Sequence, residues 1–250
     1  MQKIPEVSII TVVRNDASGL ERTIDSVAAQ DYPHREYVIV DGASTDGTPE
    51  VLRRRTAEVT RWISEPDSGI FQAMNKGARM ARGEYLCFMN AGDRFASPAA
   101  LSAIFNPPPR TELLWGDCII ESARGVEYDS AREVLRRLHR QMTVCHQSLF
   151  VRRAALLQRP FDETFRIAAD YDFLCERLLA GAAWEYRAVP VSRINDTGAS
   201  ARIFRTSIRE KRGVSLARFP KKRVTVMAYY SVLSLYMNAK HVLGFFFSLR

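Results

Sequence analysis

Through the first hundred residues, apolar runs of strand length alternate with amphipathic stretches of helix length. The runs VSIITVV (7–13), EYVIVD (36–41), TRWIS (60–64) and EYLCFM (84–89) read as strands. Between the first two, GLERTIDSVAAQ (19–30) places Leu20, Ile24, Val27 and Ala28 on one helical face. A second helix is predicted from Thr48-Pro49, a capping residue followed by proline at the first helical position. A third, IFQAMNKGARMA (70–81), leads into Gly83. This alternation is the signature of βα units and a mainly parallel sheet. The second half is less regular. LLWGDCIIESARGVEYDS reads as two strands and CHQSLFVRR as another, opened by His146 and Gln147. AADYDFLCERLLAGA reads as a helix with Leu174, Leu178 and Leu179 inward, and WEYRAVPVS as a last strand.

Each of the first four strands ends in a polar cluster: Thr11 to Asp16, Asp41 to Asp46, Glu65 to Ser68, and Asn90 to Asp93. In an open α/β sheet the carboxyl edge is where ligands bind, because loops converge there and helix N-termini offer unpaired N–H groups to anions. One such cluster is an ordinary turn; four in register indicate a site. After Asp93 the chain turns into ASPAAL, where Ser97 can cap a helix and Pro98 can take its first position.

Composition narrows the class. With 250 residues, 46% hydrophobic and 26% charged, the chain suits one large core with a tail, and neither repeats nor low-complexity tracts stand out. The formal charge of +8 is uneven. Residues 201–250 hold eleven Lys or Arg and one acid, Glu210, a net of +10, so residues 1–200 sum to −2. A near-neutral body argues against a nucleic-acid groove, while the basic tail points to an anionic surface. The four cysteines (Cys87, Cys118, Cys145, Cys175) lack C-x-x-C spacing and read as buried thiols. MQKIPEVSIITVV lacks the pattern of a secretory signal, so a cytoplasmic location is expected. No G-x-G-x-x-G follows the first strand, which disfavours a dinucleotide oxidoreductase.

The motifs VSIITVVRND, YVIVDGASTDGT, SEPDSGIFQAMNKGARMARGEYLCFMNAGD and HQSLFVRR through FDETFRIAADYDFLCERLLAG together resemble the family 2 glycosyltransferases of the GT-A fold. The bacterial subgroup that builds O-antigen (lipopolysaccharide), capsule and exopolysaccharide is the most similar. The resemblance covers about residues 5 to 200. It implies an α/β GT-A domain, a Rossmann-like mixed sheet flanked by helices, over 1–200, with a basic helical tail over 201–250. It implies an inverting transfer from a nucleotide diphosphate sugar, UDP-sugars favoured, to a hydroxyl of a glycan or of a polyprenyl-diphosphate-linked sugar, with Mg2+ or Mn2+ on the diphosphate. By resemblance Thr11, Arg14 and Asn15 line the nucleotide pocket, Asp41 bonds the base, and Asp67 and Lys76 lie near ribose and phosphates, with Asn90 beside them. Asp93 matches the last carboxylate of the metal motif and Asp170 the catalytic base.

The chemistry is compatible with these roles, and plainer readings stand beside them. Mg2+ keeps waters and substrate phosphates as ligands, so one or two protein carboxylates suffice. Asp93 can therefore serve alone, although Asn90 and Gly92 stand where the family usually has further acids. Alternatively Asp93 stabilises the turn. Asp170 and Asp172, two apart, face different sides of a helix, so one is structural; an Asp at a helix start is also a common cap. Lys76 or Arg14 can neutralise the departing diphosphate or simply be solvated. Asp46 reads as a turn residue, and His146 is either an acceptor or metal contact or a core histidine. A non-catalytic nucleotide-sugar or membrane-lipid binding protein is the alternative function.

In the tail, VTVMAYYSVLSLYM (224–237) is an uncharged run of fourteen residues. As a helix it covers about 21 Å, short of the ~30 Å hydrocarbon core. The expectation is an interfacial helix flanked by Lys221, Lys222, Arg223 and Lys240, with Tyr229, Tyr230 and Tyr236 near headgroup level, holding the enzyme peripherally on the inner face of a membrane. Packing on the domain or on a second subunit is the alternative.

Overall fold

The structure, a computed structural model, describes residues 6–122, 125–195 and 203–247. In chain order the elements are β1 (Val7–Val13), α1 (Ala17–Ala28), β2 (Arg35–Asp41), α2 (Thr48–Arg54), β3 (Arg61–Ser64), α3 (Ile70–Met80), β4 (Tyr85–Phe88), β5 (Arg94–Phe95) and α4 (Ala100–Phe105). They continue as β6 (Leu113–Ser122), β7 (Gly125–Asp129), α5 (Val134–Arg137), β8 (Leu149–Arg152), α6 (Arg153–Gln158), α7 (Ala169–Leu179), β9 (Trp184–Asn195), α8 (Phe204–Arg218) and α9 (Arg223–Phe247).

One mixed sheet runs β3-β2-β1-β4-β8-β6-β9-β5, with β7 hairpinned onto β6. β3, β2, β1 and β4 are mutually parallel. β8 enters antiparallel between β4 and β6, and β6 and β9 pair in parallel. The βα half is therefore the parallel part, as the sequence alternation predicts. Helices cover both faces because strand side chains alternate. Ile10, Val12, Val38 and Val40 join Phe71, Met74, Trp115 and Leu174 on one side. Ile9, Val13 and Ile39 join Leu20, Ile24, Leu52 and Leu101 on the other. Close helix packing on the first face needs a glycine: a Cβ at Gly77 of α3 would lie 2.5 Å from Ile10 Cγ2.

Several local expectations are corrected. The helix after Asp93 begins at Ala100, behind Ala99, and Ser97 does not cap it. Gln30, at the end of α1, does part of that work: its Oε1 accepts from Leu101 N at 3.1 Å while its Nε2 donates to Ser97 O at 2.8 Å. His146 and Gln147 do not open β8; they form a single 3-10 turn, His146–Ser148, ahead of it. Ala28 and Leu179 end their helices facing solvent rather than the core. All four cysteines are free thiols, Cys145 only half-buried.

Residues 204–230 are packed into the rest of the molecule. Val214 of α8 and Val226 and Tyr230 of α9 are buried, and Ser215 Oγ lies within hydrogen-bond distance of Tyr171 and Tyr230 hydroxyls at 3.0 and 3.3 Å. The expectation that Tyr229 and Tyr230 sit at headgroup level is therefore corrected: Tyr230 is core, and Tyr229 donates to Gln141 Oε1 at 2.7 Å. Tyr236 does face outward, as do Val224, Val232 and Leu235, beside exposed Lys221, Lys222 and Arg223. The boundary expected at residue 200 and the side chain of Lys240 lie outside what is described. Among the described residues no helix is long and apolar enough to cross a membrane.

Candidate active site

The first three strand ends are level with one another: Val13 pairs with Asp41, and Asp41 with Ser64. The loops that follow them converge. Asn15, in the left-handed region at φ 54°, accepts from Thr45 N at 2.8 Å through its side-chain oxygen, and its backbone N–H donates to Ser44 Oγ at 2.7 Å. Asn15 thus ties the first loop to the second. A Cβ on Gly42 would stand 3.2 Å from Asp67 Oδ2 and 3.5 Å from Arg14 Cδ, so a bare backbone lets these two side chains approach.

Asp67 and Lys76, both expected near ribose and phosphates, pair with each other, Lys76 Nζ 2.6 Å from Asp67 Oδ1. The ammonium also reaches Glu65 Oε1 at 2.8 Å and donates to Pro66 O at 2.9 Å. Burial pulls the Lys76 pKa down, but the bonds to Asp67 and Glu65 overcome it and the net shift is upward. Its charge is already compensated by two carboxylates, which weakens its case as the cation for a leaving diphosphate. Arg14 is exposed at the same edge. Asp67 Oδ2 is buried without a hydrogen-bond partner, a costly state unless a ligand donates to it.

Two expected ligand contacts are corrected by their surroundings. Thr11 lies inside β1, fully buried, its hydroxyl bonded to Met89 O at 2.6 Å and Tyr37 Oη at 2.9 Å. It joins strands and leaves no group for a nucleotide. Asp41 is also fully buried. Its carboxylate accepts from Ser44 N at 3.2 Å and from the hydroxyls of Ser44 and Ser64, so it builds the loop rather than facing an open pocket. Asp46 is a turn residue: Oδ1 accepts from Thr48 N at 3.0 Å and Oδ2 from Ala17 N at 3.2 Å.

The loop after β4 is held by α1. Thr23 donates to Asp93 O at 2.8 Å and accepts from Gly92 N at 3.0 Å, and Gly92 takes φ 93°, open to glycine at little cost. This fixes Asp93 opposite the 3-10 turn, where Gln147 Nε2 donates to Asp93 Oδ2 at 2.6 Å. Gln147 is itself oriented by Cys145, whose thiol lies 3.1 Å from Oε1. His146 stacks on Phe88 (centroids 5.4 Å, planes at 29°), and its Nδ1 lies 3.1 Å from Asp170 Oδ2 without the alignment of a hydrogen bond. Asp170 sits in the first turn of α7, its Oδ1 accepting from Tyr171 N at 2.7 Å.

Asp93, Gln147, His146 and Asp170 thus form one cluster drawn from three separate segments. Burial pushes the Asp93 carboxyl up to about 6, against the lowering effects of the Gln147 hydrogen bond and the His146 charge. Asn90 Oδ1 and both ring nitrogens of His146 are buried without hydrogen-bond partners. Among the described residues no three His, Cys, Asp or Glu side chains form a ready metal cage. The donor set nevertheless fits a Mg2+ or Mn2+ ion that draws its remaining ligands from a diphosphate and water, with Asp93 as the carboxylate and the orphaned Asn90 oxygen or His146 nitrogen beside it.

Asp172 separates cleanly from Asp170. It is buried and bound by Arg159 Nη2 at 2.9 Å and by Arg218 Nε and Nη2, both at 2.8 Å. It is structural, as one member of the pair had to be. The sequence reading missed Thr23, which carried no signal, since Thr on a helix face is commonplace.

The family model described as glycosyl transferase family 2 matches residues 8–159, which include β1 through the turn of His146 and β8. The chain belongs to the family 2 glycosyltransferases. A curated relative, an uncharacterized glycosyltransferase of Mycobacterium tuberculosis, is 35% identical over 190 residues, 72% of this chain and 71% of the relative. A PGL/p-HBAD biosynthesis glycosyltransferase of Mycobacterium bovis is 31% identical over 179 residues, 68% of each chain. Among solved structures, Staphylococcus aureus TarS 1–349 in complex with UDP-GlcNAc superposes with a TM-score of 0.67 at 19% identity. The match covers 84% of this chain, which spans 66% of the TarS one. The mannosyltransferase PcManGT of Pyrobaculum calidifontis, in complex with GDP-Man and Mn2+, also gives 0.67, at 21% identity over 92% of this chain and 70% of that one. At such identities the likeness establishes the fold, and the fold of this glycosyltransferase is GT-A.

Proposed function

We propose that this glycosyltransferase carries a sugar from a nucleotide diphosphate sugar, UDP-sugars favoured, to a hydroxyl of a glycan or lipid-linked sugar in surface polysaccharide synthesis, with inversion at the anomeric carbon. The observation that carries the reading is the cluster of Asp93, Gln147, His146 and Asp170 beyond the end of β4, with the unpartnered acceptor Asp67 Oδ2 in the loop that follows β3. The UDP-GlcNAc complex of TarS and the Mn2+ in PcManGT support the donor and the metal, and the PGL/p-HBAD relative supports the surface-glycan setting.

On this reading Asp67 Oδ2 accepts a hydrogen bond from the nucleoside, and Arg14 faces its phosphates. Asp93 holds the divalent ion, whose contribution when bound is to neutralise diphosphate charge. Asp170 takes the proton of the acceptor hydroxyl as the new bond to the anomeric carbon forms and the bond to the diphosphate oxygen breaks. His146, in contact with Asp170, fixes the carboxylate that does so. A single in-line displacement inverts the anomeric centre. Asp170→Asn tests this: transfer falls roughly 10²–10⁴-fold while nucleotide affinity stays within about twofold. Retained transfer contradicts the assignment.

The outward face of α9, with Val224, Val232 and Leu235 above Lys221, Lys222 and Arg223, supports peripheral contact with an anionic membrane, which suits a lipid-linked acceptor. Sedimentation with anionic liposomes, comparing the wild type with Val232→Glu/Leu235→Glu, tests it. Equal sedimentation of the two proteins contradicts it.

A further inference from the structure

Helix α7 carries Asp170 on its first turn, yet its N-cap residue offers no capping side chain. The N-cap position is Ala168, preceded by Arg166 and Ile167; Asp170 Oδ1 takes the first-turn N–H of Tyr171 at 2.7 Å, but Ala168 has no side chain that can cap. Such a start lacks the usual Ser, Thr, Asp or Asn cap. The N–H groups that lead into the helix find their acceptor 42 residues downstream of Ala168. Glu210 of α8 receives Arg166 N (3.0 Å to Oε1, 3.2 Å to Oε2), Ile167 N (2.9 Å to Oε2) and Ala168 N (3.2 Å to Oε2). Three consecutive backbone donors converge on one carboxylate, which also complements the positive end of the α7 dipole.

The same face of α8 holds α7 farther along. Residues 210, 214 and 218 lie one helical turn apart. Val214 is buried, Ser215 meets the Tyr171 hydroxyl at 3.0 Å, and Arg218 bonds Asp172 and Glu176. Asp170 is therefore set between two supports. His146 faces its Oδ2, and the backbone two to four residues ahead of it is fixed by Glu210.

We propose that Glu210 is a positioning residue for the base: α8 fixes where the α7 start, and hence the Asp170 carboxylate, stands relative to the acceptor hydroxyl. The inference rests on Asp170 being the base. It gives the one acid of the basic tail a role in turnover that is independent of any membrane. A displacement of about 1 Å in a reacting group can cost on the order of 10²-fold in rate, while the nucleotide half of the site, built on β1 to β4, is untouched.

The test compares Glu210→Gln and Glu210→Ala in the full chain. UDP release from UDP-glucose is measured in detergent-free solution, UDP affinity by calorimetry, and the His146–Asp170 separation by crystallography. Expected is a graded loss of kcat, about 3–10-fold for Gln, whose single oxygen keeps part of the bonding, and about 30–100-fold for Ala. UDP affinity stays within about twofold, and the 3.1 Å contact between His146 Nδ1 and Asp170 Oδ2 opens. A purely structural role would lower affinity and rate together. If the Ala variant does not fold, the Gln variant decides, and if UDP-glucose is not turned over, the crystallographic separation decides. Unchanged kcat and separation in Gln, or affinity falling in parallel with kcat, overturns the proposal. Asp170→Asn separates the two failures: if it retains turnover, the base assignment fails; if it is inactive while the Glu210 variants are normal, only the positioning role fails.

Discussion

Arg218→Ala is expected to be among the most destabilising single changes in the last fifty residues. The guanidinium donates from Nε to Asp172 Oδ1 at 2.8 Å, and from Nη2 to Asp172 Oδ2 at 2.8 Å and Glu176 Oε2 at 3.0 Å. The Asp172 side chain is only 10% exposed, and Arg218 itself 27%. Removing one partner of a buried ion pair typically costs about 3–5 kcal/mol. Here Arg159 stays on both carboxylates, at 2.9 and 2.8 Å, and Arg218 is partly wet, so the cost falls to about 2–3 kcal/mol. For a chain of this size that is a fall in Tm of roughly 4–12 °C, with a matching drop in urea midpoint. Asp172→Asn, alone and combined with Arg218→Ala, completes a double-mutant cycle with an expected coupling of about 1–2 kcal/mol. A loss below about 0.5 kcal/mol with an additive cycle would refute the reasoning, and α8 would then be a surface addition. The prediction also bears on experimental design: deleting residues 201–250 removes Glu210, Val214, Arg218 and Tyr230 from their partners, so lost membrane binding in that truncation would not isolate the outward face of α9.

Three further outcomes follow from the packing and the electrostatics. Thr11→Val should cost about 1–2 kcal/mol through its two lost hydrogen bonds yet leave nucleotide affinity unchanged by calorimetry; weakened binding would restore Thr11 to the pocket. Gly77→Ala should destabilise by about 1–2 kcal/mol in urea melts despite better helix propensity, because its Cβ would lie 2.5 Å from Ile10 Cγ2; a stabilised variant would contradict the packing. Asp93, raised from 3.8 to about 6 chiefly by burial, binds its proton more tightly in the native state than in the unfolded chain. Its contribution to stability is therefore full below about pH 4 and is lost as pH rises through about 6. Metal-dependent nucleotide affinity runs the other way, flat above about pH 7 and weakening up to tenfold per unit below about 6; equal affinity at pH 5 and 7.5 would contradict the role of Asp93.

The parallel half of this fold was legible because its strands and helices each follow one periodicity. Ile9 and Ile10 alternate between the two cores, and the α1 and α3 faces recur at helical spacing. The convergence of polar loops at the carboxyl edge was legible for the same reason, since strand ends fix where loops meet. Which polar residue faces a ligand was not. Thr11 and Asp41 look like edge residues in the sequence, but Thr11 lies two residues inside β1 and points at Tyr37, while Asp41 turns inward to Ser44 and Ser64. The 3-10 turn at His146 was hidden because three residues show no periodicity. The α8 face escaped because Glu210 is matched to backbone donors just ahead of α7 and Arg218 to acids on it, partners distant in sequence.

The most direct test of the central claim is calorimetric titration of UDP, GDP, dTDP and CDP, each with and without Mn2+, into the wild type and Asp93→Ala. The account predicts that one nucleotide, UDP, binds more tightly with Mn2+ and that Asp93→Ala loses that increment while keeping the metal-free affinity. Absence of binding by all four nucleotides, or an increment that survives in Asp93→Ala, would contradict it.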